Sequence, residues 1–286
     1  MSVGSNGQML AATLPSVQAE LNYLKAGQGR PVSYTFEPPP GTPWVTGELE
    51  PRRVTIRDGR PLVALNELTL DRSGFTQISH RSALADFSQD AAIRDIYYRE
   101  SEALLRDVTG AEKVVVFDHT LRDSAQGSRR TAQVGGPVGR VHNDQTFVSA
   151  PRRVHAHLPP EEAEERLRNR FAIINLWRPL PTVERLPLAL CDARSISPAD
   201  LVPSDLVYPD KVGETYSFTW NPEHQWYWFP RLRPDEALLL KVYDSLEQGV
   251  ARYTAHTAFE DPTGSQEAPP RRSIELRALV FWPAGK

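Results

Sequence analysis

Phe171-Ala172-Ile173-Ile174-Asn175-Leu176-Trp177 is an apolar run interrupted only by one asparagine. It is too short for a stable helix and is rich in β-formers, so it predicts a strand. More segments of this kind lie on its C-terminal side, at residues 188–191, 215–220, 225–229, 237–243 and 273–282. Short strands separated by turns predict a sandwich or barrel. The fold class expected is mainly β with flanking helices.

On the N-terminal side, Pro159-Pro160-Glu161-Glu162 opens a helix that ends near Arg170 and packs outside the sheets. Residues 121–139 are polar and glycine-rich and predict a mobile loop, with Arg129-Arg130 as part of a lid and 138–141 as a strand leading out. Val114-Val115-Val116-Phe117 predicts a buried strand. Residues 90–108 place Ile93, Ile96, Tyr97, Leu104, Leu105 and Val108 at helical spacing, and Gly110 stops the helix. Residues 53–56 and 62–65 predict a hairpin about Asp58-Gly59, and 37–44 an extended, proline-rich arm. Residues 19–24 predict one helical turn. Residues 1–286 form one expected domain, with 1–110 as arm and helical support and 111–286 as the β core.

The 33 basic and 36 acidic residues leave a net charge of −3. This balance argues against nucleic acid as a partner, because phosphate contacts need a basic face. A single cysteine, Cys191, excludes an internal disulfide and a thiolate zinc site. Residues 1–16 do not read as a signal peptide, and no apolar run approaches the about 18 residues of a membrane span. A cytoplasmic location, away from membranes, is expected.

The chemistry begins at His142-Asn143-Asp144. Residues at i and i+2 on a strand project to one side, so an imidazole and a carboxylate meet there. These are two of the three ligands of a facial triad on iron(II), which leaves open positions for co-substrate and O2. The plainer reading of the pair is a surface contact. His256 fits as the third ligand, from a late strand on the opposite side of the barrel. Arg271, Ser273, Glu275 and Arg277 alternate onto one face of the last strand. A guanidinium fork with a nearby hydroxyl can hold the distal carboxylate of 2-oxoglutarate. Either Arg271 or Arg277 serves for this; the plain alternative is an ion pair with Glu275.

Several further stretches carry a family resemblance: Leu21-Asn22-Tyr23-Leu24, Pro38-Pro39-Pro40-Gly41-Thr42-Pro43, Val115-Val116-Phe117-Asp118-His119-Thr120, Val141-His142-Asn143-Asp144-Gln145-Thr146, Ile174-Asn175-Leu176-Trp177-Arg178-Pro179-Leu180, Trp226-Tyr227-Trp228-Phe229-Pro230, His256-Thr257-Ala258-Phe259-Glu260-Asp261-Pro262 and residues 271–282. The chain resembles the iron(II)/2-oxoglutarate-dependent hydroxylase/desaturase family of fungal and bacterial natural-product pathways, related to the cephamycin methoxylation-associated protein. The resemblance implies a double-stranded β-helix (jelly roll, cupin-like) core, metal ligands His142, Asp144 and His256, and Fe(II), 2-oxoglutarate and O2 as cofactors. Arg272 departs from the acidic residue expected there. A pathway methyltransferase partner and a homodimer are the protein associations it admits.

Secondary candidates are fewer. Arg178, Trp177 and Tyr227 are candidate substrate contacts. For Arg178 the alternative is an interior ion pair with an aspartate such as Asp192. Trp226 to Phe229 alternate, one pair facing each way. His155-Ala156-His157 predicts a solvated connection, and His119, Tyr97 and Tyr98 predict packing. The expected activity is hydroxylation, desaturation or cyclisation of a small natural-product or amino-acid-derived substrate at an unactivated C–H bond. The alternatives are a non-oxidative metal enzyme on the same barrel and an accessory partner of a methyltransferase.

Overall fold

Alternation builds the first strand: β1 (Ser16–Leu24) buries Val17, Ala19, Leu21 and Tyr23 and exposes the residues between most of them. The structure is a computed structural model that describes residues 13–126, 134–265 and 267–285. The other strands are β2 (Val32–Tyr34), β3 (Leu49–Asp58), β4 (Phe75–Ser79), β5 (Lys113–Asp123), β6 (Val134–Gly135), β7 (His142–Asn143) and β8 (Phe171–Pro179). They continue with β9 (Leu188–Cys191), β10 (Leu201–Val207), β11 (Val212–Phe218), β12 (Trp226–Trp228), β13 (Glu236–Asp244), β14 (His256–Ala258) and β15 (Arg272–Phe281).

Two sheets form. A 9-stranded sheet runs β1-β3-β12-β9-β14-β7-β11-β10-β2, and a 6-stranded sheet runs β4-β13-β8-β15-β5-β6. All nine residues of β8 are buried, because β13 and β15 flank it and both its faces are covered. One face carries Ile174 and Leu176 under Ile93, Tyr97 and Leu105 of the helical layer. The other turns towards the 9-stranded sheet, where Trp177 packs with Leu188, Leu190 and Tyr227. Near its start, Phe171 and Ile173 pack with Leu279, Phe281 and Val154. The result is the expected mainly-β class with a jelly-roll core and few helices: α1 (Arg60–Ala64), α2 (Tyr98–Thr109), α3 (Ser149–His157) and α4 (Pro160–Leu167).

Some local expectations change. Residues 19–24 continue the period-two pattern of β1 instead of turning as a helix. The hairpin about Asp58-Gly59 is absent. Asp58 Oδ1 accepts the Arg60 N–H at 2.9 Å, Pro61 sits in the first turn, and residues 60–64 wind into α1. Gly59 is required there, since a Cβ would come within 2.9 Å of the Phe229 ring. Residues 138–141 form no strand; Val141 N donates to Asn22 O at 2.9 Å, and the Asn22 side chain donates to Gly139 O at 2.8 Å. His155 and His157 belong to α3 and not to a connection. The helical stretch before α2 contains a π-helical turn, Ile93–Tyr97, which buries both of its end residues. Gly110 ends α2 in the left-handed region, φ 64°. Arg129-Arg130 and the middle of the glycine-rich loop lie outside the described residues.

Candidate metal centre

Strand pairing brings the histidines together. His256 on β14 is the direct cross-strand partner of His142 on β7, and their ring centroids lie 4.3 Å apart. His256 is therefore on the neighbouring strand of the same sheet and not across the barrel. Asp144 follows two residues after His142. Ligand atoms of His142, Asp144 and His256 all lie within 4.8 Å of one another. Asn143, between two of them, is fully buried and donates to Gln145 O at 2.6 Å and Val242 O at 2.9 Å, which fixes the turn.

Each donor is prepared in its own way. His142 Nδ1 sits 2.8 Å from Arg140 O, so that nitrogen carries the proton and Nε2 is left as the lone-pair donor. Burial first, and then the neighbouring His256, push the His142 pKa well below the usual imidazole range, which keeps it neutral. Asp144 Oδ1 faces His142 Nε2 at 3.6 Å. Asp144 Oδ2 accepts from Asn175 Nδ2 at 2.8 Å and lies 3.8 Å from Arg277. Burial alone would raise the Asp144 pKa, but His256, His142, Arg277 and the Asn175 amide outweigh it and hold the carboxyl below its ordinary range. Two imidazoles and one carboxylate, grouped this closely, suit a divalent transition metal with open positions.

The facing sheet supplies the rest in three rungs across β5, β15 and β8. Arg122, Ser273 and Pro179 are aligned, then Thr120, Glu275 and Trp177, then Asp118, Arg277 and Asn175. Arg277 donates to Asp118 Oδ1 at 2.6 Å and Thr120 Oγ1 at 2.7 Å, so its fork is engaged. Burial opposes its charge, yet Asp118, Asp144 and Glu275 hold its pKa above the ordinary value. Arg271 differs. It is 3% exposed, donates to Leu186 O at 2.6 Å, and lies over the Trp177 ring. Burial and then the Arg122 guanidinium push its pKa down to about 9, against the pull of Glu275. Arg271 Nε and Ser273 Oγ are both buried and, among the described residues, have no hydrogen-bond partner. Buried donors of this kind are costly unless an anion meets them, so they suit a carboxylate ligand.

Arg122, His142, Trp177, Leu188, His256, Arg271 and Glu275 line one cavity, about 20 Å³ in volume. That is room for about one water. A diacid needs these side chains to move apart.

The remaining candidates sit elsewhere. Arg178 points to the opposite face of β8 from Trp177. Its guanidinium donates to Tyr97 Oη at 3.0 Å, His80 O at 2.6 Å and Pro234 O at 2.7 Å, and it touches His80 Nδ1. It is a structural clamp beneath the helical layer and not a pocket residue; Asp192 pairs with Arg194 instead. Tyr227 packs against Phe75 in the core with Phe229, while Trp226 and Trp228 face the other way, as alternation requires. His119 bonds Tyr98, and His157 stacks on Phe117. Arg122, Asp118 and Thr120 escape a reading of the sequence alone. Their alternation along β5 was available, but not the register that sets them beside β15.

Comparisons with known proteins agree with this geometry. Residues 21–281 match the family described as "Oxidoreductase/YMDC permease-like domain". The chain is 32% identical to hydroxylase/desaturase efuI of Hormonema carpetanum, over 95% of this chain and 97% of that protein. It is 34% identical to the Fe(II)/2-oxoglutarate-dependent dioxygenase nvfI of Aspergillus novofumigatus, over 90% and 92% of the two chains. The solved structure of the iron and alpha-ketoglutarate-dependent endoperoxidase NvfI superposes with a TM-score of 0.82 at 30% identity, covering 93% of this chain and 98% of that one. With its jelly-roll core and its clustered His142, Asp144 and His256, the chain belongs to the family of iron(II)/2-oxoglutarate-dependent oxygenases that contains these hydroxylase/desaturases.

Proposed function

We propose that His142, Asp144 and His256 hold iron(II), and that Arg271 with Ser273 grips the distal carboxylate of 2-oxoglutarate. The observation that carries this reading is the meeting of three ligand atoms within 4.8 Å beside buried, unpartnered donors on Arg271 and Ser273. Arg277 is the weaker choice of anchor, because Asp118 and Thr120 already occupy its fork. When bound, iron(II) with 2-oxoglutarate and O2 supplies the oxidising power to break an unactivated C–H bond, with release of succinate and CO2.

The chain's own residues then position and protect. The Arg140 carbonyl orients the His142 ring through Nδ1. Asn175 and Arg277 hold Asp144 Oδ2, so Oδ1 is the oxygen offered to the metal. Trp177, Leu188, Val138 and Ala258 supply apolar walls that keep bulk water away. Trp177 is also the candidate for contact with the small-molecule substrate. The names of the relatives point to hydroxylation, desaturation or endoperoxide formation in natural-product pathways. A cytoplasmic location, a homodimer and a pathway methyltransferase partner complete the proposal.

Incubation of anaerobically iron-loaded protein with 2-oxoglutarate and O2 tests it. Succinate release is expected, and it separates an oxygenase from a hydrolytic metal enzyme. Asp144→Ala should reduce succinate to background; full turnover in the iron-reconstituted variant rules out the ligand assignment.

A further inference from the structure

Arg122 lies in the same cavity as His142, His256 and Arg271. It is the cross-strand partner of Ser273, so both side chains rise from adjacent strands onto one face. Arg271 directly precedes the same strand, two residues before Ser273. Two guanidiniums therefore flank one buried hydroxyl whose oxygen lacks a partner. Arg122 is held by one backbone carbonyl and one long ion pair. Among the described residues it meets Gly136 O at 3.1 Å and Glu275 Oε2 at 3.6 Å. Glu275 sits one rung nearer the metal ligands, is 4% exposed, and is the carboxylate that this cavity already contains.

We propose that Arg122 is a second anchor for the distal carboxylate of 2-oxoglutarate, and that Glu275 holds its place until the co-substrate arrives. This rests on the co-substrate reading above and deepens it. In the unliganded pocket, Glu275 faces Arg122 and balances part of the charge of two close arginines. An incoming carboxylate at Ser273 meets Arg271 from one side and Arg122 from the other. Arg122 then turns from Glu275 to the ligand. The long ion pair to Glu275 is the contact that Arg122 gives up, and its movement opens the narrow cavity. Glu275 keeps its bond from Asn175 Nδ2, at 3.2 Å, and its place 3.7 Å from Arg277. No covalent step is involved. Arg122 and Glu275 are positioning groups for the co-substrate, and they set how tightly a diacid is preferred to a 2-oxo monoacid.

The test is calorimetric titration of Mn(II)-loaded protein, without O2, with 2-oxoglutarate and separately with 2-oxobutanoate, which lacks the distal carboxylate. Arg122→Gln should weaken 2-oxoglutarate binding about tenfold, the scale of one charged hydrogen bond, and leave 2-oxobutanoate unchanged. Arg122→Lys should recover part of the loss. Glu275→Gln should act in the opposite direction and tighten 2-oxoglutarate a few-fold, because it frees Arg122. Opposite signs separate this role from a merely structural one, in which both variants weaken binding of both acids together. Wild-type affinity for 2-oxoglutarate retained in Arg122→Gln, or a Glu275→Gln protein that binds the diacid less tightly, overturns the inference while leaving the oxygenase reading intact. Failure of the wild-type protein to bind 2-oxoglutarate removes both.

Discussion

Asn175 has no exposed surface, and its amide nitrogen has two acceptors, Asp144 Oδ2 at 2.8 Å and Glu275 Oε1 at 3.2 Å. One small side chain thus joins a candidate metal ligand on one sheet to the polar rung of the other. Asn175→Ala removes the shorter bond and lets the carboxylate rotate. Metal affinity should fall about tenfold or more, as read by anaerobic Mn(II) titration with electron paramagnetic resonance. Unchanged affinity would dismiss the amide from this role. Arg178 gives the opposite forecast. With its polar contacts satisfied inside the protein, Arg178→Ala should lower stability by about 3 kcal/mol, while the folded fraction binds 2-oxoglutarate as before. Urea unfolding and calorimetry together check it. At this scale the sequence was informative where spacing has chemical meaning, as in His142-Asn143-Asp144. It misled at Arg178, because its neighbour in sequence, Trp177, faces the pocket and Arg178 therefore faces away. Nothing local shows which face is which.

Elements were legible when their side chains announced a period. β8, β9, β12, β13 and β15 are continuous or alternating apolar runs, and all five were anticipated within a few residues. β10 was not, since Leu201–Val207 includes Pro203 and Asp205 and is only half-buried. β7 has two residues, and its conformation comes from pairing with β11 and β14, which no local pattern encodes. Contacts between elements also make stability depend on pH. Glu236 opens β13 and ties it to α1, accepting from Arg60 and from the Arg233 N–H at 2.9 Å. Burial would raise its pKa from the ordinary 4.5, but Arg60 and the Arg233 backbone outweigh it, and the pKa is lowered. The depressed value means that the stabilisation is complete above the unfolded carboxyl's pKa and is lost as pH falls through the folded one. Glu236→Gln should therefore cost about 1–3 kcal/mol at neutral pH. The gap from wild type should close as the pH falls below the ordinary 4.5 and through the lowered pKa of the folded state. Thermal melts across that range measure it, and a gap independent of pH would contradict the assignment.

Across the whole molecule, a ligand that binds only the folded chain must stabilise it. Mn(II) and 2-oxoglutarate, each at about a hundred times its dissociation constant, should each add about 2.7 kcal/mol. For a chain of this size that is roughly 5 °C or more in melting temperature. Asp144→Ala should lose the metal-dependent part of that shift, which differential scanning calorimetry reads directly. The mainly-β class was legible because short strands dominate the C-terminal part of the chain. The meeting of residues 142 and 256 was guessed from chemistry, while its cause, two neighbouring strands of one sheet, emerged only with the topology. That topology has a consequence for maturation. The two imidazoles are strangers in the nascent chain and become neighbours only after β7 and β14 zip in the correct register. With the ligands proposed, metal capture is thus a late inspection of workmanship: a truncated or mis-threaded chain would gain no iron, and so would never become an idle consumer of oxygen.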